Sequence, residues 1–207
     1  MTSLIRGLGV IGALLVCSVC CFAQNTGNRQ DVEQTVKGGV ITLYALDPLA
    51  QSFCFRDAGD GSVFQQHEVR NRCSDLNYNT FYAEHFAVGI EGARLGAMVD
   101  LGTAEDLRKE YGYEETVGRG QGFASVHLED GKVVILKDRR TRAMQDLKET
   151  SQLFLKPMSV ATAPVKVGHI YLARITDGYD HDFQLIVKLV VIGYVPGESV
   201  TFRWQSL

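Results

Sequence analysis

The chain has 207 residues, of which 45% are apolar and 22% are charged, and its formal net charge is −3. These values are typical of an ordinary soluble globular domain. No group of Lys and Arg residues has aromatic residues interleaved with it, so the usual signature of a nucleic-acid-binding protein is missing from the sequence. We therefore expect no nucleic acid among the partners of this protein.

The first 23 residues have the three parts of a secretory signal. Arg6 is their one charged residue, residues 8–22 form an apolar run, and Cys21 and Ala23 place small residues at −3 and −1 from a cleavage point before Gln24. A positive start, an apolar middle and a small-residue end are typical of a signal that is removed on export. The pattern predicts a secreted or periplasmic protein with a signal peptide at residues 1–23.

Other interpretations of this segment fit less well. A zinc site at Cys17, Cys20 and Cys21 would need a second cysteine pair or two histidines at a set spacing, but the nearest histidine is His67. The apolar run of about 15 residues is shorter than the roughly 20 residues that cross a bilayer, so we expect no stable membrane span after signal removal. Valine precedes both Cys17 and Cys20, which disfavours lipid attachment.

Only Cys54 and Cys73 remain once residues 1–23 are removed. Two cysteines in an oxidising compartment are expected to pair, and closing this loop stabilises the fold by roughly 3 kcal/mol on the loop-entropy model. The alternative is a catalytic thiol with His67 or His85 as its base. No nucleophile motif surrounds either cysteine, and a second thiol nearby would oxidise the first, so a disulfide is preferred.

The rest of the chain is predicted to form one β-rich domain. Residues 24–37 are polar and without periodicity, which predicts a flexible leader before a single domain at residues 38–207. β-branched and aromatic runs predict strands, and these runs cover residues 40–44, 52–56, 63–69, 84–90 and 95–101. Thr103 is a suitable helix N-cap, and Gly112 can end the short helix that follows.

The middle of the chain offers a hairpin and a second helix. In residues 123–137, Asp130-Gly131 suits a type I′ turn and would pair Glu129 with Lys132 across the two strands. Residues 141–154 allow a helix, and residues 156–166, which hold two of the four prolines, look like a linker within the domain.

The last 41 residues have the strongest β character. We expect strands at residues 170–176, 183–195 and 200–204, with Pro196-Gly197 at the centre of a type II turn. Residues 183–192 are too apolar to lie at an exposed sheet edge. Many short strands with one or two short helices predict a mainly β fold, either a β-sandwich or a partly open β-barrel, at the border of the all-β and α+β classes.

Two loops could bind ions. The glycine-rich residues 118–122 resemble a phosphate loop in composition only, because a helix precedes them and a strand follows, the reverse of the required order. Residues 177–182 contain three aspartates, whose oxygens suit calcium, but the spacing departs from that of an EF-hand loop. Asp and Gly also favour hairpin tips, so Asp177, Asp180 and Asp182 are weak candidates for metal ligands and no cofactor is expected.

No catalytic motif is present in the sequence. The five histidines lack metal-ligand spacing, and no G-x-S-x-G segment occurs. The β-rich pattern and mild charge favour an exported, non-enzymatic binding or structural module whose partner is a protein, a glycan or a surface. The alternative is a secreted hydrolase with an active site assembled from distant residues, for which Asp180, His181 and Asp182 are the best polar cluster.

Overall fold

Antiparallel strands make up most of the described chain. The structure is a computed structural model that describes residues 38–48, 50–61, 65–66, 69–70, 73–89, 93–113, 122–138, 140–154 and 161–207. The strands are β1 (Gly38–Tyr44), β2 (Ser52–Cys54), β3 (Gly59–Asp60), β4 (Gln65–Gln66), β5 (Val69–Arg70), β6 (Leu76–Tyr78), β7 (His85–Val88), β8 (Arg94–Thr103), β9 (Val126–Glu129), β10 (Lys132–Asp138), β11 (Ala143–Asp146), β12 (Thr162–Pro164), β13 (His169–Asp177), β14 (Gln184–Val195) and β15 (Ser199–Ser206). The helices are α1 (Ala104–Tyr111), α2 (Thr150–Leu153) and the 3₁₀ helix Phe123–Ser125.

A central five-stranded sheet, in the order β1-β15-β14-β13-β8, organises the fold. A second sheet, β12-β7-β6-β2-β3, packs on its first face, and a third sheet, β11-β10-β9, packs on its second face together with α1 and α2. Alternate residues of β13 enter different cores: Tyr171 lies in the first core and Ile170 and Leu172 lie in the second. Strands β8, β13 and β14 of the central sheet are therefore buried on both faces.

Aromatic contacts hold the second sheet on the central sheet. The ring of Phe86 lies 5.6 Å from that of Tyr171 and 5.8 Å from that of Phe202, and Phe53 lies 5.6 Å from Trp204. All of these pairs have the edge-to-face geometry that aromatic rings favour. The first core is thus both large and geometrically specific.

The local signals in the sequence predicted several elements correctly. Thr103 accepts a hydrogen bond from the Asp106 amide, the Asp106 carboxylate accepts one from the Thr103 amide, and Gly112 ends α1 at φ 63°. Asp130 and Gly131 both have positive φ, and Glu129 pairs with Lys132 as a type I′ hairpin requires. The three C-terminal strands are confirmed, and β14 lies inside the central sheet.

The helix predicted at residues 141–154 is wrong for most of its length. Residues 143–146 form β11, which pairs with β10, and only Thr150–Leu153 is helical. Pairing with β10 satisfies the backbone of this segment, and such tertiary pairing outweighs the weak helical preference of a short stretch. The linker predicted at residues 156–166 also contains a strand, β12, which pairs with β7.

Two other strands are shorter in the structure than predicted. β2 ends at Cys54, and the strand expected from residue 123 begins at Val126, after the 3₁₀ helix. The strand predicted at residues 63–69 lies partly outside the described residues. The mainly β class is confirmed, and the described strands form antiparallel sheets without a closed barrel.

All described residues, from Gly38 to Leu207, fall within one compact unit. The predicted signal peptide and the leader at residues 24–37 lie outside the described residues. Across the part of the chain that the structure describes, no helix has the length and apolar character that a bilayer crossing requires.

A disulfide within the second sheet lies next to a buried ion-pair cluster that joins this sheet to the central sheet. Cys54 and Cys73 are linked as predicted, with Cα atoms 5.2 Å apart. Two residues further on, Asp75 lies 3.3 Å from Nε of Arg94, and Arg94 Nη1 lies 2.8 Å from Asp177. All three side chains are buried, and Asp75 also accepts a hydrogen bond from the Phe55 amide at 2.9 Å. Arg94 therefore links a loop of the second sheet to two strands of the central sheet.

The positive charge of Arg94 compensates the negative charges of its two buried carboxylate partners, Asp75 and Asp177. Burial raises the pKa of Asp75, and Arg94 acts in the opposite direction by favouring the ionised form. The guanidinium also lies 4.0 Å from the centre of the Phe183 ring, a cation–π contact. Without Arg94, two buried carboxylates would lose their cation.

We predict that Arg94→Met lowers the free energy of unfolding by roughly 3–5 kcal/mol, because it leaves uncompensated charges in the interior. The triple variant with Asp75→Asn and Asp177→Asn should recover most of this loss, since the amide oxygens keep the backbone hydrogen bonds and no charge remains. Urea denaturation followed by fluorescence measures both changes. A stability for Arg94→Met within 1 kcal/mol of wild type, on the order of a surface change, would contradict the assignment.

Candidate functional site

One end of the central sheet is left uncovered on its second face. The second core contains buried residues of β8, β13 and β14 but none from β1. The layer that covers the second face extends as far as β15. There, the guanidinium of Arg203 lies 5.0 Å from the centre of the Phe123 ring. Beyond Arg203, large apolar side chains are exposed. We call this surface the open face, and it consists of Val40, Tyr44, Leu46, Ile192 and Val195.

The strand register places two of these side chains, Tyr44 and Val195, in one row of the sheet. Tyr44 is aligned with Ser199 and Ser199 with Val195, so one row crosses all three strands. Ile192 is the extra residue of a β-bulge in β14, between Val191 and Gly193. Leu46, in the turn after β1, is 87% exposed. Such a concentration of exposed apolar side chains is a feature of interaction surfaces.

Two shallow clefts flank the open face. The first, of about 380 Å³, is lined by Gly38, Gly39, Val40, Arg203, Trp204 and Gln205. The second, of about 430 Å³, is lined by Tyr44, Leu46, Asp47 and Glu198. One cleft therefore carries a cation and the other carries two carboxylates. Their shallow shape suits an extended segment of a partner better than an enclosed small molecule.

A partly exposed Asp–His pair lies at the opposite edge of the central sheet. Asp100 accepts from Nδ1 of His169 at 2.8 Å, from Nζ of Lys166 at 3.1 Å and from the Gly102 amide at 2.8 Å. The pair sits where the register between β8 and β13 shifts, which turns Asp100 towards His169. An aspartate that fixes Nδ1 leaves Nε2 for acid–base chemistry.

Within the described part of the chain, this pair has no nucleophilic side chain beside it to complete a catalytic triad. Among the described residues, no serine, threonine or cysteine side chain is hydrogen-bonded to His169, and the hydroxyl of nearby Thr103 donates to Asp106. Asp100 and His169 are 69 positions apart in the chain, so no local pattern could have identified the pair.

The residues predicted as weak metal ligands lie in two different environments. Asp180, His181 and Asp182 are exposed in the tip between β13 and β14, whereas Asp177 is buried and bound to Arg94. The second oxygen of Asp177 accepts from the amides of Tyr179 and Asp180 at 2.7 and 3.2 Å. The oxygens of Asp177 are therefore occupied by a guanidinium and by the backbone.

The structure also places the other residues considered from the sequence. Both Cys54 and Cys73 are in the disulfide, so neither is a free thiol that could act as a nucleophile or a metal ligand. Nδ1 of His85 lies 2.7 Å from the carbonyl oxygen of Ala83. His67 and residues 118–121 of the glycine-rich loop lie outside the described residues.

A buried lysine in the second core is a further ionisable group that sequence reasoning missed. Lys188 is 2% exposed, and its Nζ donates to the carbonyl oxygens of Phe123 and Val126 at 2.7 and 2.8 Å. Burial, assisted by the positive charge of Arg203, lowers the pKa of Lys188 from 10.5 to about 8. A single lysine inside the apolar run 185–192 was the signal that could have identified it.

We predict that Lys188 makes the protein more stable at alkaline pH. Because its pKa is lower in the folded state, the folded protein releases this proton first, and stability rises as the pH increases from about 8 towards 10.5. From roughly pH 7 to pH 9.5, the free energy of unfolding of the wild type should rise by about 2 kcal/mol more than that of Lys188→Met. Urea denaturation of both proteins at the two pH values measures the difference, and parallel pH profiles would show that Lys188 keeps an ordinary pKa.

Comparison of the chain with protein-family models, with curated proteins and with solved structures finds no match. The geometry of the described residues is therefore the basis for any functional assignment.

Proposed function

We propose that this protein is an exported, non-enzymatic binding module that holds a protein partner on its open face. The observation that supports this function is the exposure of Val40, Tyr44, Leu46, Ile192 and Val195 at one end of a sheet whose strands β8, β13 and β14 contribute buried residues to both cores. Burying such a surface on a partner is favourable by about 25 cal/mol for each Å² of apolar area removed from water.

A protein partner fits this surface better than a glycan or a small molecule does. The open face is shallow and mainly aliphatic, and its charges lie at its margins, at Arg203 on one side and at Asp47 and Glu198 on the other. An apolar centre with a polar rim is the usual anatomy of a protein–protein interface. The charges at the margins would then fix the orientation of the partner.

Photo-crosslinking tests this function. A benzophenone amino acid at Ile192 should crosslink one exported protein of the host, whereas the same group at Met144, which is exposed on β11, should not. With the identified protein purified, Val195→Glu should weaken binding by roughly tenfold or more, as expected when a charge enters the centre of an interface. Equal crosslinking from Ile192 and Met144, or unchanged affinity of the Val195 variant, would refute the proposal.

We further propose that the protein is secreted or periplasmic and that its mature form begins at Gln24. The disulfide between Cys54 and Cys73 supports an oxidising compartment, and residues 1–23 have the composition of a removable signal. Intact mass of the protein isolated from its host should correspond to residues 24–207. A soluble cytoplasmic product that keeps Met1 to Ala23 would contradict this localisation.

A further inference from the structure

The open face has a positive charge at one end and a negative charge at the other. Arg203 lines the first cleft and Glu198 lines the second. Arg203 belongs to β15, and Glu198 immediately precedes that strand, five positions earlier in the chain. At a rise of ~3.3 Å per residue, the Cα atoms of the two residues are about 17 Å apart. We call Arg203 the basic end of the open face and Glu198 its acidic end.

The basic end has no carboxylate partner in the part of the chain that the structure describes. The guanidinium of Arg203 lies 5.0 Å from the centre of the Phe123 ring, and the ammonium of Lys188 lies 4.7 Å from the centre of the same ring. After burial, the positive charge of Arg203 is the next cause that lowers the pKa of Lys188, so the two cations repel each other. An anion placed beside Arg203 would offset this repulsion, whereas another cation would increase it.

The carboxylate of the acidic end is also left without a partner among the described residues. The backbone of Glu198 is fixed by the turn before β15, because its amide donates to Val195 and its carbonyl oxygen accepts from the Ala45 amide. The side chain of Glu198 is exposed. The turn therefore presents a negative charge at this margin of the open face without neutralising it.

The surface between the two ends suits apolar groups of a partner. Thr42 and Thr201 are aligned on β1 and β15, and their hydroxyl oxygens are 2.8 Å apart, so one hydroxyl donates to the other. Exposed Val40 lies on the side of this pair towards the basic end, and exposed Tyr44 lies on the side towards the acidic end. A partner that reaches both ends therefore places apolar side chains between its charged groups.

We infer that the partner binds the open face through a segment with a carboxylate at one end, a cation about 17 Å away and apolar side chains between them. The carboxylate lies against Arg203, and the cation lies against Glu198. In an extended segment, about five positions of the chain separate the two charged residues. This inference rests on the proposed function and names the chemistry of the partner that the open face holds.

Charge reversal at the two ends tests the inference on the oxidised chain of residues 24–207 with benzophenone at Ile192. At low salt, Arg203→Glu and Glu198→Lys should each lower the yield of the crosslinked product roughly tenfold, because like charges then meet. Both losses should become smaller at about 1 M NaCl, where charges are screened within ~3 Å. Arg140→Glu is the matched control, since it makes the same charge change in the exposed turn between β10 and β11, and its yield should stay unchanged.

Mapping of the crosslinked peptides gives a second test that needs no charge variant to fold. Gln205 lines the first cleft and Leu46 lines the second. Benzophenone at these two positions should crosslink one segment of the same protein. Mass spectrometry should find Asp or Glu beside the site reached from Gln205 and Lys or Arg beside the site reached from Leu46.

The outcomes separate this inference from the proposed function. A partner that crosslinks to Ile192 with unchanged yield from both folded charge variants would overturn the inference and leave the proposed function intact. A mapped segment without the two opposite charges would have the same meaning. If Ile192 crosslinks no exported protein, both the proposed function and the inference fail.

Discussion

The central sheet must bury two faces at once, and the rest of the structure depends on this requirement. Its inner strands supply apolar side chains at consecutive positions, as β13 and β14 do, so that each strand contributes to both cores. Two separate layers are then needed to cover the sheet, and the second layer is too small to reach β1. The open face follows from this incomplete coverage. In the same way, Lys188 is buried because it occupies a β14 position that the second layer covers.

Sequence reasoning was most successful where a structure depends on a few neighbouring residues. The capping box at Thr103 and the left-handed end at Gly112 involve hydrogen bonds within one or two turns, so the sequence alone predicts α1. The type I′ turn at Asp130 and Gly131 is equally local and sets the register of β9 and β10. The apolar character of β14 indicated an inner strand, since both of its faces had to be buried.

Sequence reasoning failed where distant segments decide the outcome. Residues 143–146 are a strand because β10 is beside them, and nothing in their own sequence indicates that neighbour. The cluster of Asp75, Arg94 and Asp177 is built from three separate elements, so the role of Asp177 as a buried ion-pair partner was invisible in the loop sequence. The open face could not be predicted for the same reason, because exposure at β1 depends on how far the third sheet extends.

The position of β1 beside β15 has a consequence for how the protein is made. The hydroxyl groups of Thr42 and Thr201 are 2.8 Å apart although the residues are 159 positions apart in the chain. The central sheet therefore lacks one edge until the end of the chain has been synthesised, and folds dominated by such long-range pairing form slowly. For the proposed export, a channel that accepts only unfolded protein would require the chain to cross the membrane before it folds. A topology that joins β1 to β15 would help to keep the chain unfolded until then.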